Sequence, residues 1–192
     1  MANGRVVTGF SKPFVALYSA NGGTVSYTSG MALARGVDVS IEPESSEDNI
    51  FYADNIEAET ASGTFTGGTV TLTVDGLKDA ARKLILGLPA AGADGWTGFG
   101  DDMAIPYVGV GFIVRYQEDQ AVSYVPIVLA KCSFSIPGTE AATQEEDIDW
   151  QTQELTATIF RADDANHNWK FESTAFTTEA AAEAALQAKL GV

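Results

Sequence analysis

The segment Thr69–Val74 reads T-V-T-L-T-V. In an extended strand successive side chains point to opposite faces, so Thr69, Thr71 and Thr73 share one face and Val70, Leu72 and Val74 the other. A helix would scatter the same residues around its circumference. A strand that is wet on one side and apolar on the other must lay its apolar side on a core. That is the habit of antiparallel sheets.

Other segments repeat the pattern. In Pro106–Tyr116, Val108, Val110, Phe112, Val114 and Tyr116 share a face. Gly109, Gly111, Ile113 and Arg115 form the other, and its two glycines imply a bend or a close neighbour. Val122–Ile136 reads as a long strand with an edge or bulge at Pro126, which has no N–H to give a ladder. The short Gln117–Ala121 makes Pro106–Ile136 a hairpin. Ile148–Phe160 is a further strand, with Gln151, Gln153 and Leu155 opposite Trp150, Thr152 and Glu154. Phe14–Tyr18 and Thr24–Thr28 flank Asn21-Gly22-Gly23, a hairpin signal because Asn and Gly tolerate positive φ. Met31–Glu42, Asn49–Glu59 and Trp169–Phe171 complete the strand candidates.

Two helices are expected. Asp75 is placed to cap one that runs to Leu86 and closes at Gly87 and Pro89. Leu77, Ala80, Ala81, Leu84 and Leu88 give it an apolar stripe, with Lys78, Arg82 and Lys83 outside. Thr178–Leu190 is Ala-rich, with Thr177 or Thr178 as cap. Its apolar face is thin, so it needs a docking partner or frays. The expected fold is mainly β: an antiparallel β-sandwich or rolled barrel with one flanking helix and a C-terminal helix.

At 192 residues the chain is long enough to bury about 70% of its unfolded surface as one domain. The expected division is an N-terminal hairpin or arm at 1–30, a β core at 31–176 with its helix near 76–87, and the helix at 177–192. Residues 1–10 lack an apolar signal region, and no apolar run approaches the ~20 residues of a membrane span. A soluble protein made in the cytoplasm is expected, with no membrane partner. The net charge of -15 disfavours phosphate backbones, whose binding depends on cations.

The chain shows no G-x-x-x-x-G-K-[ST], H-E-x-x-H or G-x-S-x-G motif. His167 is the only histidine, in the turn-like Asn166-His167-Asn168. Cys132, the only cysteine, lies on an alternating strand with Phe134 and Ile136 and reads as a small apolar residue. Asp101-Asp102 and Asp163-Asp164 follow no calcium-loop pattern and read as loop charge. The expectation is no enzyme, no cofactor and no metal.

Two features invite a functional reading. The long Gly- and Asp-rich loop Pro89–Ile105 carries Trp96, Phe99 and Met103, either as anchors at a subunit contact or folded back on the body. Two acidic runs have no interspersed cation: Glu42, Glu44, Glu47, Asp48, Asp54, Glu57 and Glu59, then Glu140, Glu145, Glu146, Asp147, Asp149 and Glu154. These read equally as solvated faces or as a shared acidic surface.

Six segments in order resemble a known family. They are Tyr52-Ala53-Asp54-Asn55 leading to Ser62-Gly63, Gly67-Gly68-Thr69-Val70-Thr71-Leu72, Val74-Asp75-Gly76-Leu77 and Pro106–Phe112. Lys131-Cys132-Ser133-Phe134 follows, then Trp150–Ile159 after an acidic stretch. Their order and spacing are similar to those of the major tail proteins of long, non-contractile-tailed phages, of the phi13-like type. The resemblance covers roughly Met31 to Asp164.

It implies a tail-tube fold, hexameric rings stacking into a tube, and a lumenal sheet shared around each ring. It also implies assembly in the host cytoplasm, a place in the virion, and loops and arms that bridge rings. The implied partners are further copies of the chain, a tape-measure protein and tail-terminal proteins, with DNA passing through unbound. The Thr face of Thr69–Thr73 and the Gln/Glu face of Gln151–Glu154 are candidates for the bore. A contractile-tail or secretion-system tube is the nearest alternative. A carbohydrate- or protein-binding β-sandwich is another, with Trp96, Trp150 and Trp169 as a stacking platform, although Trp150 in an alternating strand is expected in the core.

Overall fold

The computed structural model describes residues 4–101, 103–143 and 150–192, with the backbone alone for Glu57. It is mainly β. Eight antiparallel strands form one sheet, in the order β2-β1-β7-β8-β9-β6-β3, with β10 paired to β8. The strands are β1 (Val6–Asn21), β2 (Thr24–Ala32), β3 (Gly36–Ser45), β6 (Phe65–Val74), β7 (Val108–Glu118), β8 (Ala121–Phe134), β9 (Gln153–Phe160) and β10 (Lys170–Glu172). A separate two-stranded ribbon, β4 (Asn49–Ala53) and β5 (Ile56–Ala61), lies between β3 and β6 in sequence. The helices are α1 (Asp79–Leu86) and α2 (Glu179–Leu190). Among the described residues no helix is long and apolar enough to cross a membrane.

The sheet is rolled. Its concave side carries Val70, Leu72 and Val74 of β6, Leu155, Ala157 and Ile159 of β9, and Val108, Val110 and Phe112 of β7, all in one buried cluster. Cys132 and Phe134 of β8 join them, and α1 adds Ala81, Ile85 and Leu86. The roll brings the start of β3 back to β1, where Gly36 lies against the Phe10 ring. Phe10 in turn meets Phe112 edge-on, with ring centroids 5.5 Å apart.

The convex side is half covered. Gly109 and Gly111 mark where α2 sits: a Cβ on Gly111 would lie 2.6 Å from Leu186 Cδ1, and one on Gly109 would run into the Tyr27 ring. The close neighbour implied by these glycines is therefore α2, and the thin helix has its docking partner. Ala182, Leu186 and Leu190 pack on Phe14, Ala16, Ile113 and Val128 in a second buried cluster. Thr178 caps the helix by accepting from Ala181 N–H at 3.3 Å. Lys12–Glu183 at 3.1 Å and Ser11 Oγ donating to Glu179 Oε1 at 2.5 Å tie the helix to β1.

Several expectations are corrected. Met31–Glu42 is not one strand. Ala32 ends β2 on one edge of the sheet and Gly36 begins β3 on the other, and buried Leu33 makes the crossing with its N–H on Pro13 O, 2.9 Å. Asn49–Glu59 is a hairpin, turned at Asp54-Asn55, both with positive φ (52° and 63°). The first helix starts at Asp79, and its N-cap is Lys78 without a side-chain bond. Asp75 is engaged elsewhere: its carboxylate accepts from Arg35 N at 2.9 Å and Arg35 Nε at 2.5 Å. Ala80 is exposed, and Ile85 takes the inward position. β8 ends at Phe134, so Ile136 is 60% exposed. β9 begins at Gln153, and Trp150 stands outside it, 83% exposed rather than in the core.

Pro126 sits at a bulge, as its chemistry requires. Tyr124 pairs with Phe176 and Ile127 with Glu172, so three steps along β8 face four along its neighbour. Ser173 N–H donates to Pro126 O at 3.0 Å. The missing proline N–H therefore falls where the ladder is already interrupted.

Candidate functional site

The convex face of β9, β6 and β3 carries no helix. Registers place its side chains in rows: Asp38–Thr73–Glu154, Ser40–Thr71–Thr156, and Glu42–Thr69–Thr158, the last extended by Ser133 of β8. The two wet segments singled out in the sequence are thus neighbours on one face. Glu154 is exposed there, whereas Gln153 turns partly inward in line with Leu155. Strands β3, β6 and β9 contain no Lys or Arg at all. The nearest basic side chains on the margin are already engaged. Lys131 Nζ pairs with Asp163 at 2.7 Å and lies over the Tyr107 ring at 4.5 Å. Arg161 bonds the carbonyl of Phe65. The surface is one of small hydroxyls and carboxylates, hydrated and negative.

The ribbon continues β3 and β6 past Ser45 and Phe65. Its base is fixed by Ser46 N–H on Thr64 O, 2.9 Å, and by Gly63 N–H on Asp48 Oδ1, 2.7 Å. Beyond the base, β4 and β5 make no substantial contact with another strand or helix. Ile50, Phe51, Tyr52 and Ile56 stand on it 39%, 63%, 62% and 66% exposed. A lone two-stranded ribbon is marginal in water, so four bare apolar side chains on one need cover.

The predicted acidic residues divide. Glu44 lies on β3, opposite Gly67 of β6. Glu47 and Asp48 lie at the ribbon base and Glu59 on β5, all exposed. Glu57 pairs in register with Tyr52 on the same ribbon. Glu154 is on the bare sheet face. Glu145, Glu146 and Asp147 lie outside the described residues. One continuous acidic strip therefore runs from the sheet face along β3 onto the ribbon.

The loop after α1 splits between its two readings. Met103 packs partly buried on the main core. Trp96 and Phe99 are 79% and 54% exposed. The loop ends are pinned at Gly87, where any Cβ would overlap the carbonyl of Ala104. The three tryptophans do not form one platform. Trp169 already stacks on Phe65, centroids 4.5 Å apart and planes 6° from parallel, at the ribbon end of β6. Trp96 belongs to the loop that follows α1, and α1 leaves the other end of that strand.

The remaining candidates have structural partners. Asp163 accepts from Tyr18 OH at 2.9 Å as well as from Lys131, and these bonds hold its carboxyl below the ordinary range. Burial raises Asp164, but bonds from Asn168 and His167 outweigh it and lower its carboxyl overall. His167 is an exposed turn residue with φ 52°. Cys132 is fully buried, and desolvation pushes its thiol far up.

Comparison with models of known protein families and with curated proteins gives no match to this chain.

Proposed function

We propose that this chain is a structural, non-catalytic subunit of a phage tail tube, assembling as stacked hexameric rings within the virion. The tube would guide the tape-measure protein and then the genomic DNA. The observation that carries the reading is the bare face of β9-β6-β3, long, flat in chemistry and free of cations. DNA binding rests on cations that neutralise phosphates. A bore walled by hydroxyls and carboxylates gives the duplex nothing to hold, so it slides. Six chains around it carry six times the charge of -15.

Two further features support assembly. The sheet has free edges at β2 and β3, and natural proteins seldom leave long edges uncovered. Head-to-tail contact around a ring covers both at once. The ribbon supplies an exposed apolar element that a monomer has no use for.

The test is negative-stain electron microscopy with light scattering on the concentrated chain, with and without a crowding polymer to force nucleation. Rings or hollow tubes with a bore that admits a duplex are expected. A strictly monomeric chain under all these conditions would overturn the reading.

A further inference from the structure

The ribbon and α1 lie at opposite ends of one strand. β6 runs from Phe65, at the ribbon base, to Val74, after which the chain turns through Gly76 into α1. Ten residues at about 3.3 Å each separate these ends by roughly 33 Å. The two ends differ in sign. From Gly36 to Leu77 there is no Lys or Arg, and the ribbon with its base carries Glu47, Asp48, Asp54 and Glu59. At the far end α1 and its cap carry Lys78, Arg82 and Lys83.

Both ends also bear exposed apolar groups. The ribbon shows Phe51, Tyr52 and Ile56. The α1 end shows Trp96 and Phe99, with the Arg82 guanidinium 6.0 Å from the Phe99 ring. Asp79 is already tied to Arg82 at 2.8 Å, and Asp94 accepts from Trp96 N–H at 3.2 Å. These carboxylates are turned onto their own end of the molecule.

We infer that the acidic, apolar ribbon of one copy docks on the basic α1 end of the next, covering Trp96 and Phe99. This rests on the tube reading and names the surface that receives the ribbon. Acidic meets basic and aromatic meets aromatic, so complementarity selects a second copy of this chain as the occupant. Because donor and acceptor surfaces lie at opposite ends, the contact is heterologous. It repeats along an axis rather than closing into a dimer. The aromatic groups supply the desolvated centre and the charges set register and partner choice.

Charge reversal tests it. Glu47→Arg with Glu59→Arg reverses the ribbon, and Lys78→Glu with Lys83→Glu reverses the receiving end. None of the four lies in the buried core, and circular dichroism with a thermal melt on each variant checks folding. Each pair alone should raise the concentration needed for axial assembly, read by sedimentation velocity, at least tenfold. All four together, or an equimolar mixture of the two double variants, should bring it back towards the wild-type value. Folded double variants that assemble as the wild type does would overturn the docking while leaving the tube reading intact. A folded fourfold variant that fails to assemble would overturn it too. A wild-type chain that never assembles would overturn both.

Discussion

Replacing Gly111 by Ala probes how directly α2 rests on β7. The added Cβ would lie 2.6 Å from Leu186 Cδ1 and 2.8 Å from Leu190 Cδ1. Carbon atoms in favourable contact sit about 3.5–4.0 Å apart. Both leucines are fully buried, so neither swings into solvent without exposing apolar surface. Overpacking of this kind costs about 1–3 kcal/mol. Removing a strand glycine returns about 0.5–1 kcal/mol. The net loss is about 0.5–2 kcal/mol, or about 2–4 °C in Tm for each kcal/mol. Leu186→Ala alone opens a cavity and costs about 2–5 kcal/mol. In the double variant the new methyl enters that cavity, so the pair loses less than the sum of its parts, by about 0.5–3 kcal/mol. Urea unfolding of the four proteins, followed by circular dichroism and tryptophan fluorescence, measures all of these terms. A neutral Gly111→Ala, or strict additivity with Leu186→Ala, would refute the close seating of the helix.

Two other outcomes follow from local geometry. Asp75, held by Arg35, and Asp163 and Asp164 all have carboxyls lowered in the folded state. Their stabilisation is therefore complete above the ordinary carboxylate pKa of about 3.9 and fades as pH falls through the lower folded values. Thermal melts from about pH 7 down to about pH 2 should show this acid limb, and Asp75→Asn should flatten it; an unchanged limb in that variant would contradict the assignment. Gly87 closes α1 at φ 59°, with the Ala104 carbonyl in the way of any Cβ, whereas Gly95 at φ 83° has open space around it. Gly95→Ala should cost about 1–2 kcal/mol from backbone strain alone, and Gly87→Ala distinctly more; equal losses in urea unfolding would show that the Ala104 contact does not matter.

What the sequence revealed was local. Thr69–Val74 and Pro106–Tyr116 alternate because each strand separates a buried face from another surface, and alternation needs no knowledge of the neighbour. The paired glycines of β7 announced a close approach, though not that a helix some seventy residues on would make it. Misreadings arose where a distant partner decided. Asp75 has the chemistry of a helix cap, yet Arg35 outcompetes the helix for it. Trp150 continues the alternation of β9, but pairing stops where β6 ends, Val74 opposite Gln153. A strand is as long as its neighbour allows. The Asp54-Asn55 turn was legible, since both residues tolerate positive φ, and a strand that crosses them should have been broken there. The bare face depended on which strands adjoin, so only the fold could bring Thr71 beside Ser40 and Thr156.

β1 lies at the centre of the convex cluster and pairs with β7 from Val6↔Gln117 to Leu17↔Val108. Until β7 has been made, β1 has only β2 beside it, and Phe14, Val15 and Ala16 lie bare on both sides of that ribbon. The ribosome must add the residues from Asn21 to Val108 before a second neighbour exists, roughly 4–17 s of synthesis at typical rates. During that interval the nascent chain presents an apolar, unpaired strand to every other nascent chain nearby. A protein produced in many copies at one time lives with that hazard at its most severe. Its safeguard at that stage is kinetic, in how soon a chaperone or its own β7 reaches β1.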